Sequence, residues 1–247
     1  MTAPIASPSE PLDGPLDESL DERAPLADAA QESPRLGRAR LRSLILALVL
    51  LAVAIALAIP LARSPEHPWF QRFDESWRSW VSGHRFAAAT VVAKILSVTG
   101  SAYVTLPLRL AVAAVLAIRR RWLQFAAFAV AVVSSEVVVG VVKAVIDRPR
   151  PPGAMIVTTG ASFPSGHAIA AAVTAFGVVS AFLPRGARRW HWFVLATFFA
   201  GSMAWSRTYL SAHWATDTVA GVCIGMGLAL LSEVIFEGGR HVVAEDP

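Results

Sequence analysis

The chain has 247 residues, 55% of them hydrophobic and only 16% charged, with a mean hydropathy of +0.52. That composition excludes an ordinary soluble domain and describes a polytopic membrane protein. The net charge of +4 and the pI near 10.0 do not point to nucleic acid, because the basic residues gather at the ends of apolar segments, where they set membrane topology.

Residues 1–40 are rich in Pro, Ala, Asp and Glu and lack apolar periodicity, which predicts a disordered tail. The apolar run 43–62 is long enough to cross a bilayer and is read as a retained first span, since the acidic stretch before it does not suit a secretory signal. In 64–85, Phe70, Phe73, Trp77 and Trp80 recur at helical spacing. They predict a short helix whose aromatic edge either lies among lipid headgroups or packs on other loops. The stretch 86–118 is too long for one crossing and breaks at Thr99-Gly100-Ser101, giving a re-entrant or interfacial helix over 86–98 and a second span over 102–118. Apolar runs at 122–142, 167–183, 190–206 and 214–235 bring the expected total to six spans, without an internal repeat. The fold expected is therefore all-α: a tail at 1–40, a six-helix membrane domain over 41–237 and a short tail at 238–247.

Arginines set the orientation. Arg35, Arg38, Arg40 and Arg42 precede the first span, Arg119 to Arg121 follow the second, and Arg185, Arg188 and Arg189 follow the fourth. Six spans put all of these on one side, which the positive-inside rule makes cytoplasmic, together with the N-terminus. Two charges fall inside spans. Arg109 lies seven residues beyond the outer start of the second, and Glu136 seven before Lys143, so both sit about 10 Å below the outer end. Unpaired charge at that depth is costly, which predicts an Arg109–Glu136 ion pair between adjacent helices.

Three polar clusters lie at the ends of apolar segments on the opposite side: Lys143 with Arg150-Pro151, then Pro164-Ser165-Gly166-His167, then Ser206-Arg207 with His213 and Asp217. Lys143, Arg150 and Arg207 are permanent cations suited to phosphate oxygens. Ser165 and Gly166 open a helix, whose N-terminal N–H groups and dipole favour the same anion. His213 and Asp217, at i and i+4, are expected on one helix face, where the carboxylate holds one imidazole nitrogen as N–H and leaves the other free as a nucleophile. Arg148 falls between the motif positions and is expected to be a solvated loop cation. Trp205, Tyr209 and Trp214 are expected as interfacial anchors. Cys223 has no intrachain partner. The few acids near the clusters suggest no metal site and no cofactor.

K-x6-R-P, P-S-G-H and S-R-x5-H-x3-D resemble the three signature motifs of the type 2 phosphatidic acid phosphatase superfamily, over roughly residues 85–235. The resemblance is to its membrane lipid phosphatases, in particular the undecaprenyl-diphosphatase-like branch. It implies a phosphomonoester or diphosphate of a lipid as substrate, taken from the membrane on the extracytoplasmic face of the cell membrane. It also implies His213 as nucleophile, His167 as proton donor to the leaving oxygen, Asp217 as partner of His213, and Lys143, Arg150, Ser165, Gly166 and Arg207 as phosphate-binding residues. Polyprenyl diphosphate, phosphatidic acid and phosphatidylglycerol phosphate are the candidate substrates. A transporter or flippase that binds lipid phosphate without cleaving it is the alternative.

Overall fold

The structure, a computed structural model, describes the backbone of residues 18–242 apart from Arg185, and side chains over 37–236 apart from Arg185 and Ala187. Two compact units divide the chain, Met1–Ala39 and Arg40–Pro247. Residues 1–17 and 243–247 lie outside the described residues; the disordered tail expected at 1–40 is corrected over 18–40, which is helical and runs into the first span as α1, and 238–242 close α8.

Among the described residues eight helices follow in order: α1 (Glu18–Arg63), α2 (Gln71–Gly83), α3 (Ala87–Thr99), α4 (Ala102–Ile118), α5 (Trp122–Val145), α6 (Gly166–Phe182), α7 (Ala187–Tyr209) and α8 (Ala215–Val242). No strand occurs among the described residues. Among the described residues, three stretches are long and apolar enough to cross a membrane: Gly37–Arg63, Trp122–Val145 and Ala215–Phe236. A fourth crossing results if α3 and α4, bent by 48° at the break, count as one. The apolar helix α6 has 17 residues, fewer than the roughly 20 that span a bilayer upright. Large aliphatic side chains such as Ile45, Leu48, Ile55, Val91, Leu106, Val133 and Val137 are exposed along the outer helix faces. A soluble monomer rarely presents apolar surface on that scale, so this is an integral membrane protein with its helix flanks facing lipid.

α6 is the centre of the bundle. It packs on α4, α5, α7 and α8, and Ala168 to Val173 are buried on every face. That explains a helix that is hydrophobic all round. Its closest approach is to α8, at Gly221 and Gly225. A Cβ on Gly221 would lie 2.8 Å from the Ser165 carbonyl oxygen, and one on Gly225 would lie 2.7 Å from the Ile169 oxygen. The two glycines are four residues apart, the small-xxx-small spacing that lets membrane helices touch backbone to backbone. Bringing the start of α6 against the start of α8 in this way sets the geometry described next.

The Arg109–Glu136 pair is present, at 2.7 Å between NH1 and Oε1. Arg109 is buried and also donates to the Thr174 hydroxyl at 2.9 Å, on α6. On α2 the aromatic edge divides: Phe70 is buried in a core cluster, while Phe73, Trp77 and Trp80 are exposed. One aromatic thus packs into the bundle core while the other three face outward.

Candidate active site

The three clusters meet at one end of the bundle. Lys143 ends α5, Arg150 lies in the loop 146–165, Ser165 caps α6 with Gly166 and His167 in its first turn, and Arg207 lies in the last turn of α7. Two backbone hydrogen bonds fix the loops to one another: Ser165 N donates to Asp217 O (3.1 Å) and Ser162 N to Arg148 O (2.8 Å). The Ala161 carbonyl accepts from both Lys143 Nζ (2.6 Å) and an Arg150 NH2 (3.3 Å), which brings the two cationic heads together. Arg207 is anchored by the Ser97 hydroxyl of α3 at 2.5 Å. His167, half-buried, lies within electrostatic reach of Arg207, Arg150 and His213. The α3–α4 break presses on it, since a Cβ at Gly100 would come within 3.1 Å of its ring. The Ser165 hydroxyl is buried without a partner among the described residues. With the free N–H groups of the first α6 turn beside it, it completes an anion-accepting wall.

His213 is nearly buried, and its Nδ1 lies 2.7 Å from the Ser162 carbonyl oxygen. A carbonyl only accepts, so Nδ1 carries the proton and Nε2 keeps its lone pair. Nε2 lies 3.4 Å from Arg150 NH1. Burial drives the His213 pKa down to about 4, against the pull of the Asp217 carboxylate, so the imidazole is neutral at pH 7. Arg150 likewise has its pKa lowered by burial.

Four expectations need correction. Asp217 is not the acceptor for Nδ1, because their 3.7 Å separation is too long for a hydrogen bond. His213 precedes α8 rather than sharing its face, in a turn where Ser211 takes the left-handed conformation (φ +49°). Arg148 is not a solvated cation: it is fully buried between Asp74 of α2 (2.7 Å) and Asp217 (2.5 Å). Tyr209 and Trp214 are buried rather than interfacial. Trp214 Nε1 donates to Pro149 O at 2.9 Å and so ties the first cluster to the third. Asp74 and Ser162 belong to no motif, and sequence reasoning missed both.

Among the described residues, no group of three His, Cys, Asp or Glu side chains is placed to hold a metal ion. A cavity of about 320 Å³, lined by Arg121, Phe128, Gly177 and Glu233 among others, lies at the opposite end of the bundle and takes no part in this cluster.

A buried histidine beside Arg150, with Lys143, Arg207 and the start of α6 at the same end of the bundle, is an arrangement able to accept an anion. Residues 124–238 match the family model of the PAP2 superfamily, so the resemblance carried by the three motifs holds. A PAP2-type phosphatidylglycerolphosphate phosphatase from Bacillus subtilis has a similar fold, with a TM-score of 0.63 and 23% identity, over 80% of this chain and 98% of that one. LpxE from Aquifex aeolicus aligns with a TM-score of 0.53 and 22% identity, over 64% of this chain and 92% of that one. Comparison with curated protein sequences finds no match.

Proposed function

We propose that this protein is a lipid phosphatase that works through a phosphohistidine at His213. The observation that carries the reading is the His213 tautomer: with Nδ1 donating to Ser162 O, Nε2 is unprotonated beside Arg150. Nε2 attacks phosphorus in line, forming the P–N bond as the P–O bond to the lipid or to its remaining phosphate breaks. His167, protonated once the phosphate anion offsets the cations around it, gives that proton to the departing oxygen. His167 then takes a proton from water, whose oxygen attacks phosphorus, and the P–N bond breaks to release inorganic phosphate and neutral His213. Lys143, Arg150, Arg207, the Ser165 hydroxyl and the first N–H groups of α6 hold the equatorial oxygens. They provide the charge stabilisation that a metal ion supplies in other phosphoryl transfers, so the reaction proceeds without one.

The arginine clusters support a six-span topology with the site extracytoplasmic, in the cell membrane. There a substrate keeps its tail in lipid while its phosphate enters the cationic end of the bundle. Polyprenyl diphosphate, phosphatidic acid and phosphatidylglycerol phosphate fit this description. The neighbour from Bacillus subtilis is a phosphatidylglycerolphosphate phosphatase. The purified protein should release phosphate from at least one member of that panel in the presence of chelator. Rapid quenching with labelled substrate, under conditions that preserve acid-labile P–N bonds, should trap label on His213. Lipid binding without phosphate release would instead favour a transporter, and label on Ser165 or His167 would overturn the mechanism.

A further inference from the structure

Asp74 lies on the surface helix α2, outside all three motifs, yet its carboxylate is completely buried. Oδ2 takes hydrogen bonds from Arg148 NH2 (2.7 Å) and the Thr216 hydroxyl (2.6 Å), and Oδ1 takes one from the Thr216 N–H (3.0 Å). Arg148 NH1 continues to Asp217 Oδ1 at 2.5 Å and to the Thr216 hydroxyl at 2.9 Å. Asp217 Oδ2 in turn accepts from the Ser162 hydroxyl (2.5 Å) and Trp214 N (2.9 Å). Ser162 presents the carbonyl that fixes His213.

We propose that Asp74 and Arg148 are positioning residues for His213. Without touching phosphate, they lock Asp217, and through it Ser162, so that Nε2 points at the reacting phosphorus. The inference rests on the reading of His213 as nucleophile. The geometry separates the two arginines of this loop. Arg150 is half-buried against Ala212 O and His213 in the cation cluster, whereas Arg148 is turned the other way, its guanidinium over the rings of Phe70 and Trp214 at 5.6 and 5.5 Å. Replacing both members of a buried ion pair by apolar groups is often neutral for stability, so stability alone does not explain such a chain of charges. Fixing an outer-shell partner of a reacting imidazole does. α2 is then part of the catalytic scaffold as well as a surface anchor.

The test uses the full-length protein in detergent micelles with a short-chain phosphatidic acid, comparing Asp74→Asn, Arg148→Gln and Arg150→Gln. Loss of positioning should lower kcat about 10- to 100-fold, the range for outer-shell partners of metal-bound histidines. KM should stay within about threefold, since the phosphate clamp is intact; Arg150→Gln should raise KM. The charged and titratable groups facing His213 are Asp217, Arg150, Arg207, His167 and Lys143, with Arg148 and Asp74 behind Asp217. Asp74→Asn makes this surround more positive and should move the acid limb of kcat/KM to lower pH. Arg148→Gln makes it more negative and should move that limb to higher pH. Opposite shifts at constant KM support positioning. Two results overturn it: a KM rise in Arg148→Gln matching that of Arg150→Gln, or losses that follow thermal stability with the acid limb unmoved. Where a charge variant does not fold, Thr216→Val removes the hydroxyl shared by Asp74 and Arg148 without stranding a charge. It should lower kcat about three- to tenfold at constant KM, and unchanged kcat would count against the proposal. Phosphohistidine trapping on the wild-type protein separates the two readings. Label elsewhere removes the basis of both, whereas label on His213 with kcat unaltered in every variant defeats only the positioning role.

Discussion

Replacing Glu136 with Leu tests how charge is held inside this bundle. The carboxylate side chain is 61% exposed on the outer face, whereas Arg109 is only 7% exposed. The two partners are therefore not equivalent. Glu136→Leu strands a buried guanidinium that keeps only Thr174 Oγ1 at 2.9 Å and Ala170 O at a marginal 3.5 Å. Breaking a buried pair from one side costs about 3–5 kcal/mol, and the two remaining acceptors reduce this to about 2–3 kcal/mol. Arg109→Leu leaves a carboxylate that is already open to its surroundings, at a cost of about 1–2 kcal/mol. The double Leu variant packs two apolar side chains and strands no charge, losing only the bonds to Thr174 and Ala170, so it should cost about 1–2 kcal/mol, against the roughly 3–5 kcal/mol that additivity requires. Reversible unfolding in mild detergent with graded SDS measures all four corners of the cycle. A double variant equal to the sum of the singles within about 0.5 kcal/mol would refute the pairing. Arg109→Leu proving worse than Glu136→Leu would show that the bonds to α6, not the ion pair, hold the arginine.

Gly221→Ala and Gly225→Ala should each lower both stability and activity. Their methyl groups would meet α6 backbone at 2.8 and 2.7 Å, and no side-chain movement relieves that contact; a loss of about 1–3 kcal/mol in the same unfolding assay is expected for overpacking. The acid limb of kcat/KM should lie well below pH 6.5, because burial holds His213 near 4; a limb at 6.5 would mean an exposed, ordinary imidazole. The same depressed value makes His213 a source of stability above pH 6.5 that is lost as the pH falls through about 4, so the unfolding midpoint should drop across that window and His213→Gln should flatten the drop. For topology, cysteines replacing Val157, which is exposed in the loop before α6, and Arg188, at the start of α7, should differ in a Cys223→Ala background. An impermeant thiol reagent should label position 157 in intact cells and spare 188, and the reverse pattern would invert the orientation.

Most helix positions were legible because apolar runs of spanning length and breaks such as Thr99-Gly100-Ser101 act locally; the helix over 18–40, which no apolar run marks, was not. The ion pair was legible because two charges at equal depth have few other partners. The wiring behind His213 was not, for a reason that concerns Asp217 itself. Spacing of i and i+4 suggested that its carboxylate faces the imidazole, but α8 begins at Ala215 and leaves His213 in the turn. Asp217 occupies the third helical position, from which a carboxylate reaches back to the N–H of the capping residue, here Trp214 at 2.9 Å. Its other oxygen is taken by Arg148. With both oxygens engaged, the bond to Nδ1 passes to the Ser162 carbonyl, a backbone group that no side-chain pattern reveals. Asp74 was hidden for a related reason. It is a single acid on an aromatic surface helix, 142 residues from Thr216, and only tertiary packing discloses that the acid faces inward while Phe73 and Trp80 face out. A carboxylate on the protein-facing side of an amphipathic helix has no solvent to satisfy it, and a buried charge must find an opposite one. Once packing turns Asp74 inward, its burial creates a demand for a cation. Arg148, an unassigned arginine between motif positions, is the group that meets it.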